Sequence, residues 1–191
     1  AGYTTSIDAP SGAIGLLYDD RGLLTETTGP SQYQSAFTYD SAGRMLTRSD
    51  AVGTTSFGWT SRSELASITD PVTATSRTNT FDAAGQLEAV SFSGGATRAV
   101  EFDDLGRLVV DELLTAGGTV AAGYSYGYDL DGHVTSRTSV LPGNLAAGSS
   151  SFVYDNAGRL ISWTKPDNTT ALYAYDDSGN LVNNAGITAT F

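Results

Sequence analysis

The chain is poor in the residues on which most enzyme and cofactor sites depend. It contains no cysteine, one histidine and one lysine among its 191 residues. Zero cysteine excludes disulfides and thiolate metal sites, and a single imidazole leaves little for histidine-based metal sites or hydrolytic triads. We therefore expect no enzymatic activity, no cofactor and no dedicated metal site.

Positive charge and long apolar runs are also scarce. Ten Lys and Arg residues stand against 21 Asp and Glu residues, which gives a net charge of -11 spread along the chain. Such a surface repels nucleic acid and anionic lipid. No run approaches the roughly 18 apolar residues of a membrane span, and the first residues lack the basic and apolar regions of a signal peptide. We expect no nucleic-acid partner, no membrane insertion, and a sequence that begins inside a longer protein.

What the chain has in abundance is a repeat. An aromatic residue, Asp, two variable residues, Gly, one residue and an aliphatic recur seven times, and a worn copy at Trp59 (WTSRSEL) completes eight units. The residues that define the repeats are Tyr18, Asp19, Gly22 and Leu24; Tyr39, Asp40, Gly43 and Met45; Trp59 and Leu65; Phe81, Asp82, Gly85 and Leu87; Phe102, Asp103, Gly106 and Leu108; Tyr128, Asp129, Gly132 and Val134; Tyr154, Asp155, Gly158 and Leu160; and Tyr175, Asp176, Gly179 and Leu181. Two longer intervals predict loop insertions near residues 113–123 and 140–151.

The repeated heptad predicts a hairpin turn. Asp at the first position of a type I turn accepts hydrogen bonds from backbone amides, and Gly three residues later takes the left-handed conformation that closes a G1 bulge. In that register each aromatic residue lies opposite the aliphatic residue six positions later. The other face would carry three ion pairs, namely Asp40 with Arg44, Asp103 with Arg107, and Asp155 with Arg159.

The strands that flank these turns predict a sheet that grows by repetition. The position two residues before each aromatic is apolar in seven of the eight units, with Asn79 as the exception. About 21 residues hold two strands and two turns without a helix. One unit alone buries too little to offset the entropy of ordering it, so stability must come from neighbouring units. We predict an all-β fold of tandem antiparallel hairpins in a continuous curved or spiralling sheet, a single repeat array over residues 1–191.

Tandem Tyr-Asp-x-x-Gly-Arg-Leu units about 21 residues apart resemble the RHS repeat, also called the YD repeat, from about Leu16 to Val182. The resemblance implies a β-sheet strip that spirals into a hollow shell, as in bacterial polymorphic toxins, the cocoon of insecticidal Tc toxins and animal teneurins. In those relatives the shell encloses a toxic C-terminal domain or serves as an adhesion scaffold at the cell surface. Eight units should form an open segment of such a shell, and we expect it to self-associate through its open sheet edges.

The chain also departs from these relatives. Many bacterial members end the shell with a segment that starts with Asp-Pro and supports autocleavage. The Asp-Pro pair of this chain, Asp70-Pro71, lies in the middle of a repeat and is followed by Val72, Thr73 and Ala74. Autocleavage is therefore not expected.

Acidic residues and the single histidine have a structural explanation and a chemical one. His133 follows the repeat glycine, where other units carry Arg, Gln or Asn, and this favours a role at the flank of a hairpin. Four paired acids suggest turn capping more strongly than calcium loops, because the ligand series of a calcium loop is missing after Asp129. The pairs are Asp19 with Asp20, Asp103 with Asp104, Asp129 with Asp131, and Asp176 with Asp177. Incidental calcium binding stays a hypothesis, which a melting temperature insensitive to calcium and chelator would remove.

Two residues outside the repeat pattern suggest further chemistry. Most aromatics occupy the repeat position or the position two before it, which favours packing over sugar stacking. Trp163 falls outside both positions and is the candidate contact for a glycan. Lys165 raises the question of an isopeptide cross-link, which an intact mass equal to the sequence mass would exclude.

The sequence thus predicts a non-catalytic structural segment of a large RHS/YD-repeat protein, secreted or at the cell surface of a bacterium. The segment would contribute to a β-sheet shell that encloses or presents a C-terminal toxin or effector. Its partners would be further repeats and the toxin or effector domain of the parent protein. The alternative is an adhesion module that binds carbohydrate or a surface receptor.

Overall fold

The computed structural model describes residues 3–10, 12–30, 34–144, 147–184 and 187–188. Within them the fold is all-β, with one 3₁₀ turn at Pro142–Asn144 and no α-helix. Its strands are β1 (Ser6–Ala9), β2 (Gly12–Tyr18), β3 (Leu24–Thr28), β4 (Ser35–Tyr39), β5 (Met45–Asp50), β6 (Gly53–Trp59), β7 (Leu65–Thr69), β8 (Ser76–Phe81), β9 (Leu87–Phe92), β10 (Thr97–Phe102), β11 (Leu108–Leu114), β12 (Val120–Tyr128), β13 (Val134–Val140), β14 (Gly148–Tyr154), β15 (Leu160–Thr164), β16 (Thr170–Tyr175), β17 (Leu181–Asn184) and β18 (Ile187–Thr188). None of the described segments forms a helix with the length and apolarity that crossing a bilayer requires.

Two compact units divide the chain, Ala1–Gly94 and Gly95–Phe191. In the first unit, strands β1 to β9 each pair with the next strand in antiparallel fashion. The second unit repeats the arrangement with β10 to β18. The prediction of an all-β fold built from tandem antiparallel hairpins is confirmed within each unit.

Each repeat forms one hairpin whose aromatic and aliphatic residues face each other across the turn. The predicted register is confirmed in all eight repeats: Tyr18 with Leu24, Tyr39 with Met45, Trp59 with Leu65, Phe81 with Leu87, Phe102 with Leu108, Tyr128 with Val134, Tyr154 with Leu160, and Tyr175 with Leu181. These pairs form one row of large side chains on one face of each sheet.

The turn has the predicted hydrogen bonds. In the first repeat the Asp19 amide donates to the Leu23 carbonyl, and the Gly22 amide donates to the Asp19 carbonyl, both at 2.9 Å. Gly22 has φ = 82°, a conformation that side-chain-bearing residues adopt at a cost. The worn repeat holds Ser63 in the same position at φ = 68°. Its turn closes without glycine, although with backbone strain.

Every hairpin also contains a β-bulge directly after the aliphatic residue, which the sequence did not indicate. Leu17 pairs with Glu26 while Tyr18 pairs with Leu24, so Thr25 has no cross-strand partner of its own. The bulge reverses the alternation of the outgoing strand. The residue nine positions after the aromatic therefore faces the residue two before it. The bulged residues are Thr25, Leu46, Ala66, Glu88, Val109, Thr135, Ile161 and Val182.

Both predicted loop insertions are partly strand. In the segment 113–123, β11 continues to Leu114 and pairs with β12, which begins at Val120. The extra residues lengthen a hairpin because they are apolar and small enough to pair across it. In the segment 140–151, Val140 ends β13 and Gly148 begins β14. A 3₁₀ turn lies between these strands, and residues 145 and 146 lie outside the described residues.

Little of the chain is buried. Among the described residues, the buried side chains are Val90, Val100, Ala171, Ser139 and Ser150. The repeat aromatics are half-buried, because each is covered by its neighbours in the sheet and by no second layer within its own unit.

Candidate functional site

The junction between consecutive repeats is where the side chains of the repeat meet. The hydroxyl of Tyr39 donates to the carbonyl of Leu24, the aliphatic residue of the preceding repeat, at 2.8 Å. That carbonyl directly precedes the bulged residue, where the regular ladder of backbone hydrogen bonds is interrupted. The same contact recurs from Trp59 Nε1 to Met45 (2.7 Å), Tyr128 to Leu108 (2.7 Å), Tyr154 to Val134 (2.9 Å) and Tyr175 to Leu160 (3.0 Å).

One repeat makes this contact with a different residue. Phe81 has no hydroxyl, and in its place the side-chain amide of Asn79 donates to the Leu65 carbonyl at 2.7 Å. Asn79 is the residue that broke the apolar pattern two positions before the aromatic. The sequence exception and the missing hydroxyl therefore have one explanation, since Asn79 supplies the side-chain donor that this carbonyl receives from the aromatic residue in the other repeats that follow one within the same unit.

The repeat aspartate holds the turn through its carboxylate. In Asp40, Oδ1 accepts hydrogen bonds from the Ala42 and Arg44 amides at 2.9 Å, and Oδ2 accepts one from Arg44 Nε at 2.7 Å. The hydrogen bond from the Arg44 amide is the largest cause that lowers the pKa of Asp40, and it outweighs the opposing effect of burial. The predicted ion pairs Asp40 with Arg44, Asp103 with Arg107, and Asp155 with Arg159 are confirmed.

The arginine of the ion pair reaches the next repeat. Arg107 Nη1 donates to the backbone carbonyl of Asp129 at 2.9 Å, and its guanidinium carbon lies 4.6 Å from the centre of the Tyr128 ring. Arg44 and Arg159 lie over the next aromatic ring in the same way. The prediction that these pairs lie on the face opposite the aromatic residues was wrong for the guanidinium groups. A long, flexible side chain can turn and cover the ring of the neighbouring repeat.

At the sixth repeat a histidine takes the place of the arginine. His133 Nδ1 lies 3.1 Å from Asp129 Oδ2, and the imidazole stacks on Tyr154 of the next repeat with ring centres 4.8 Å apart. The expected role of His133 at the flank of a hairpin therefore holds. Burial opposes ionisation of Asp129, but hydrogen bonds from the His133 amide and imidazole prevail and lower its pKa. The group lines a surface cavity of about 550 Å³, together with Asp131 and Tyr154.

The other paired acids cap turns through their first member. The carboxylates of Asp19, Asp103 and Asp176 each accept two backbone amide hydrogen bonds from their own turn. This agrees with turn capping, and calcium binding stays a prediction. Asp70 of the Asp-Pro pair likewise closes an exposed turn between β7 and β8, with hydrogen bonds from the Val72 and Thr73 amides.

The bulge brings Trp163 into the aromatic face. Trp163 lies directly opposite Phe152, with ring centres 6.3 Å apart and ring planes 13° from parallel. Lys165 Nζ lies 5.3 Å from the centre of the Trp163 ring. Sequence spacing alone assigned Trp163 to neither repeat position because it takes no account of the bulge. Its role as a glycan contact stays a prediction.

The repeats that form this junction resemble those of known proteins. Residues 18–55 and 154–188 match the RHS Repeat family, and each stretch holds two of the eight heptads. These two stretches of the chain are RHS repeats. RHS repeats are typically structural elements, in agreement with side chains that bind repeats to one another.

Relatives of this RHS-repeat chain are much longer proteins. The double-stranded DNA deaminase toxin A of Burkholderia cenocepacia (strain H111) is 28% identical over 176 residues, which are 92% of this chain and 12% of the toxin. The structure of TcdB2-TccC3-TEV matches with a TM-score of 0.65 and 19% identity, over 95% of this chain and 12% of that one. The Photorhabdus luminescens Tc holotoxin pore matches with a TM-score of 0.58 and 19% identity, over 90% and 10% of the two chains. These structures show that the fold is shared.

Proposed function

We propose that the chain is a wall segment of a large bacterial RHS-repeat protein, secreted or at the cell surface, and that its two units are consecutive stretches of one repeat array. The wall would help to enclose or present a C-terminal toxin or effector. The observation that carries this proposal is the double connection between hairpins. Within each unit, successive strands share backbone hydrogen bonds, and the side chains of each repeat bind the next. A wall needs such continuity, since a gap between hairpins would admit solvent and proteases.

The exposed surface supports the same proposal. The chain exposes 12069 Å². A compact protein of this mass would expose roughly 8,600 Å², and two separate compact proteins of half the mass roughly 10,400 Å² together. The sheet faces are thus more open than those of an independent domain. Further repeats and an enclosed domain of the parent protein would supply the missing contacts.

Limited proteolysis of the full-length parent protein tests this function. We expect its C-terminal domain to resist protease in the wild type and to be cut faster in the double variant Tyr128→Phe/Tyr154→Phe, which loses two contacts between repeats. Tyr173→Phe is the matched control, since that hydroxyl forms no hydrogen bond within the described residues. A C-terminal domain cut equally fast in all three proteins, or a gene without further repeats, would contradict the proposal.

Adhesion is a second candidate function, favoured by the stacked pair of Phe152 and Trp163 beside Lys165. Flat aromatic rings beside a cation bind sugars and acidic groups. A glycan array probed with the wild type and with Trp163→Phe tests it. Specific binding that weakens in the variant would support adhesion, and an array without signal would remove it.

A further inference from the structure

The turn of the sixth repeat carries a group of side chains that the chain's only histidine makes unique. Asp129, Asp131 and His133 each offer one ligand atom, and these atoms lie within 4.8 Å of one another. We propose that this turn binds a divalent transition-metal ion, such as Zn²⁺, Co²⁺ or Ni²⁺. The site occupies the positions that hold an Asp–Arg ion pair in other repeats, and its ability to bind an ion does not depend on the proposed function.

The distance between the ligand atoms of Asp129 and His133 fits a metal ion. Two ligand atoms about 2.1 Å from one ion, at angles between the octahedral and the tetrahedral value, are about 3.0–3.4 Å apart. His133 Nδ1 and Asp129 Oδ2 are 3.1 Å apart. At this separation one ion can bind both atoms in place of the proton between them. Asp131 is exposed, so a change of rotamer brings its carboxylate to the same ion.

The side chains of Asp129 and His133 are both held in place by neighbouring groups. Asp129 Oδ1 accepts hydrogen bonds from the Asp131 and His133 amides at 3.0 and 2.8 Å, which fixes the orientation of Oδ2. The imidazole of His133 is held by stacking on Tyr154. Partners of this kind orient metal ligands and strengthen binding, because less freedom is lost when the ion arrives.

Space for the ion's remaining ligands is also present. Gly158 lies against the outer edge of the imidazole, where an added Cβ would come within 2.7 Å of His133 Nε2. The three ligand residues also line an open cavity of about 550 Å³. Water molecules in this cavity would complete the coordination of an ion that the protein holds by three ligands.

The ligand types select among metals. One imidazole nitrogen with two carboxylates suits Zn²⁺, Co²⁺ and Ni²⁺, whereas Ca²⁺ takes six to eight oxygen ligands. The site is thus distinct from the calcium loops that the paired acids suggested. We expect Ca²⁺ to leave the protein unaffected at concentrations at which Zn²⁺ binds.

The neighbouring repeat provides matched variants. Asp155, Ala157 and Arg159 occupy the positions of Asp129, Asp131 and His133. His133→Arg therefore restores the ion pair of other repeats and should keep the fold while removing the site. In that background, Ala157→Asp with Arg159→His rebuilds the ligand set one repeat later, where residue 159 lies over the ring of Tyr175.

Calorimetric titration of the chelator-treated protein with Zn²⁺ and Co²⁺ tests the proposal, with Ca²⁺ as the comparison. We expect saturable binding of one ion per chain, and binding at least about tenfold weaker in His133→Arg and in Asp131→Asn. Zn²⁺ should raise the Tm of the wild type, and it should not raise the Tm of His133→Arg, whose Tm without metal stays close to wild type. The rebuilt site should recover saturable binding.

Three outcomes would overturn the proposal. One is an absence of saturable binding by the wild type, and another is equal binding by His133→Arg. The third is Ca²⁺ binding as strong as Zn²⁺ binding, which would indicate attraction to the acidic surface as a whole. Because His133→Arg is checked for its own Tm, a loss of binding through unfolding would be recognised.

Discussion

At the scale of single residues, the polar tip of the repeat aromatic connects one hairpin to the next. Its acceptor is a backbone carbonyl beside a bulge, in a half-buried position where a missing partner is costly. This explains why a residue with an aromatic body and a hydrogen-bond donor fills the position in six of eight repeats. Asn79 shows that the donor can come from a different residue when the aromatic lacks one.

A double-mutant cycle at Asn79 and Phe81 measures the value of that donor. We expect Asn79→Val to lower the free energy of unfolding by about 0.5–1.5 kcal/mol, because the Leu65 carbonyl loses its partner. Adding Phe81→Tyr should recover most of this loss, since the hydroxyl then reaches the same carbonyl as in other repeats. Urea denaturation of the four proteins gives the coupling energy. Additive effects would show that the two donors do not replace one another.

Acid should weaken the turns through the carboxylates. Hydrogen bonds from their own turn lower the pKa of Asp40 and Asp103, chiefly the bond from the amide of the paired arginine. The pKa of each is thus lower in the folded than in the unfolded state. The stability that each contributes is fully present above the ordinary value of 3.8 and is lost as the pH falls through the lower folded-state value.

We accordingly expect the free energy of unfolding to fall as the pH drops below 3.8, measured by urea denaturation across the acid range. The variant Asp103→Asn keeps an acceptor for the turn but cannot ionise. It should be less stable than the wild type at neutral pH, and the difference should shrink in acid. A difference that is independent of pH would contradict this assignment.

At the scale of the hairpin, the sequence predicted the turn, its G1 bulge and its register. It did not predict the second bulge, which follows the aliphatic residue. The turn could be predicted because Asp and Gly have specific conformational roles at fixed positions. The bulged residues range from Thr25 and Ala66 to Glu88 and Ile161, so they share no side-chain chemistry. Without the bulge the face on which Trp163 lies could not be predicted, nor could the backbone carbonyl to which each tyrosine donates.

The glycine position of the turn gives a pair of opposite predictions. Ser63→Gly should raise the free energy of unfolding by about 0.5–1 kcal/mol, because glycine adopts the left-handed conformation freely. The lost hydrogen bond from Arg44 Nη1 to Ser63 Oγ reduces this gain. Gly132→Ala should lower the free energy of unfolding by about 1 kcal/mol through backbone strain. A steric clash does not contribute, since an added Cβ would meet no atom within 4 Å. Thermal and urea unfolding check both, and changes of the same sign would contradict the argument.

At the scale of the whole molecule, the repeat count and the all-β fold followed from the sequence because one motif recurs at nearly constant spacing. The proposed metal-ligand group was not predicted, since the orientation of its imidazole depends on the ring of a neighbouring repeat 21 residues after His133. The lengths of the connections were predicted poorly, because small and apolar residues such as those around Ala121 and Ala122 fit a strand as readily as a loop.

An open sheet should also self-associate through its end strands. We expect light scattering to report a mass that rises with protein concentration. The effect should grow with salt, because the net charge of -11 repels neighbouring copies at low ionic strength. A mass that stays at 19.8 kDa under all these conditions would contradict the prediction.

The bond from each repeat tyrosine hydroxyl to a main-chain oxygen has a consequence for how such genes change. Every amino acid supplies that oxygen, so a hairpin does not require a particular neighbour and can be duplicated, deleted or exchanged as a cassette. Unequal recombination between copies would then alter the length of the encoded protein while leaving each interface chemically intact. Gene length should accordingly vary among close homologues in steps of one cassette.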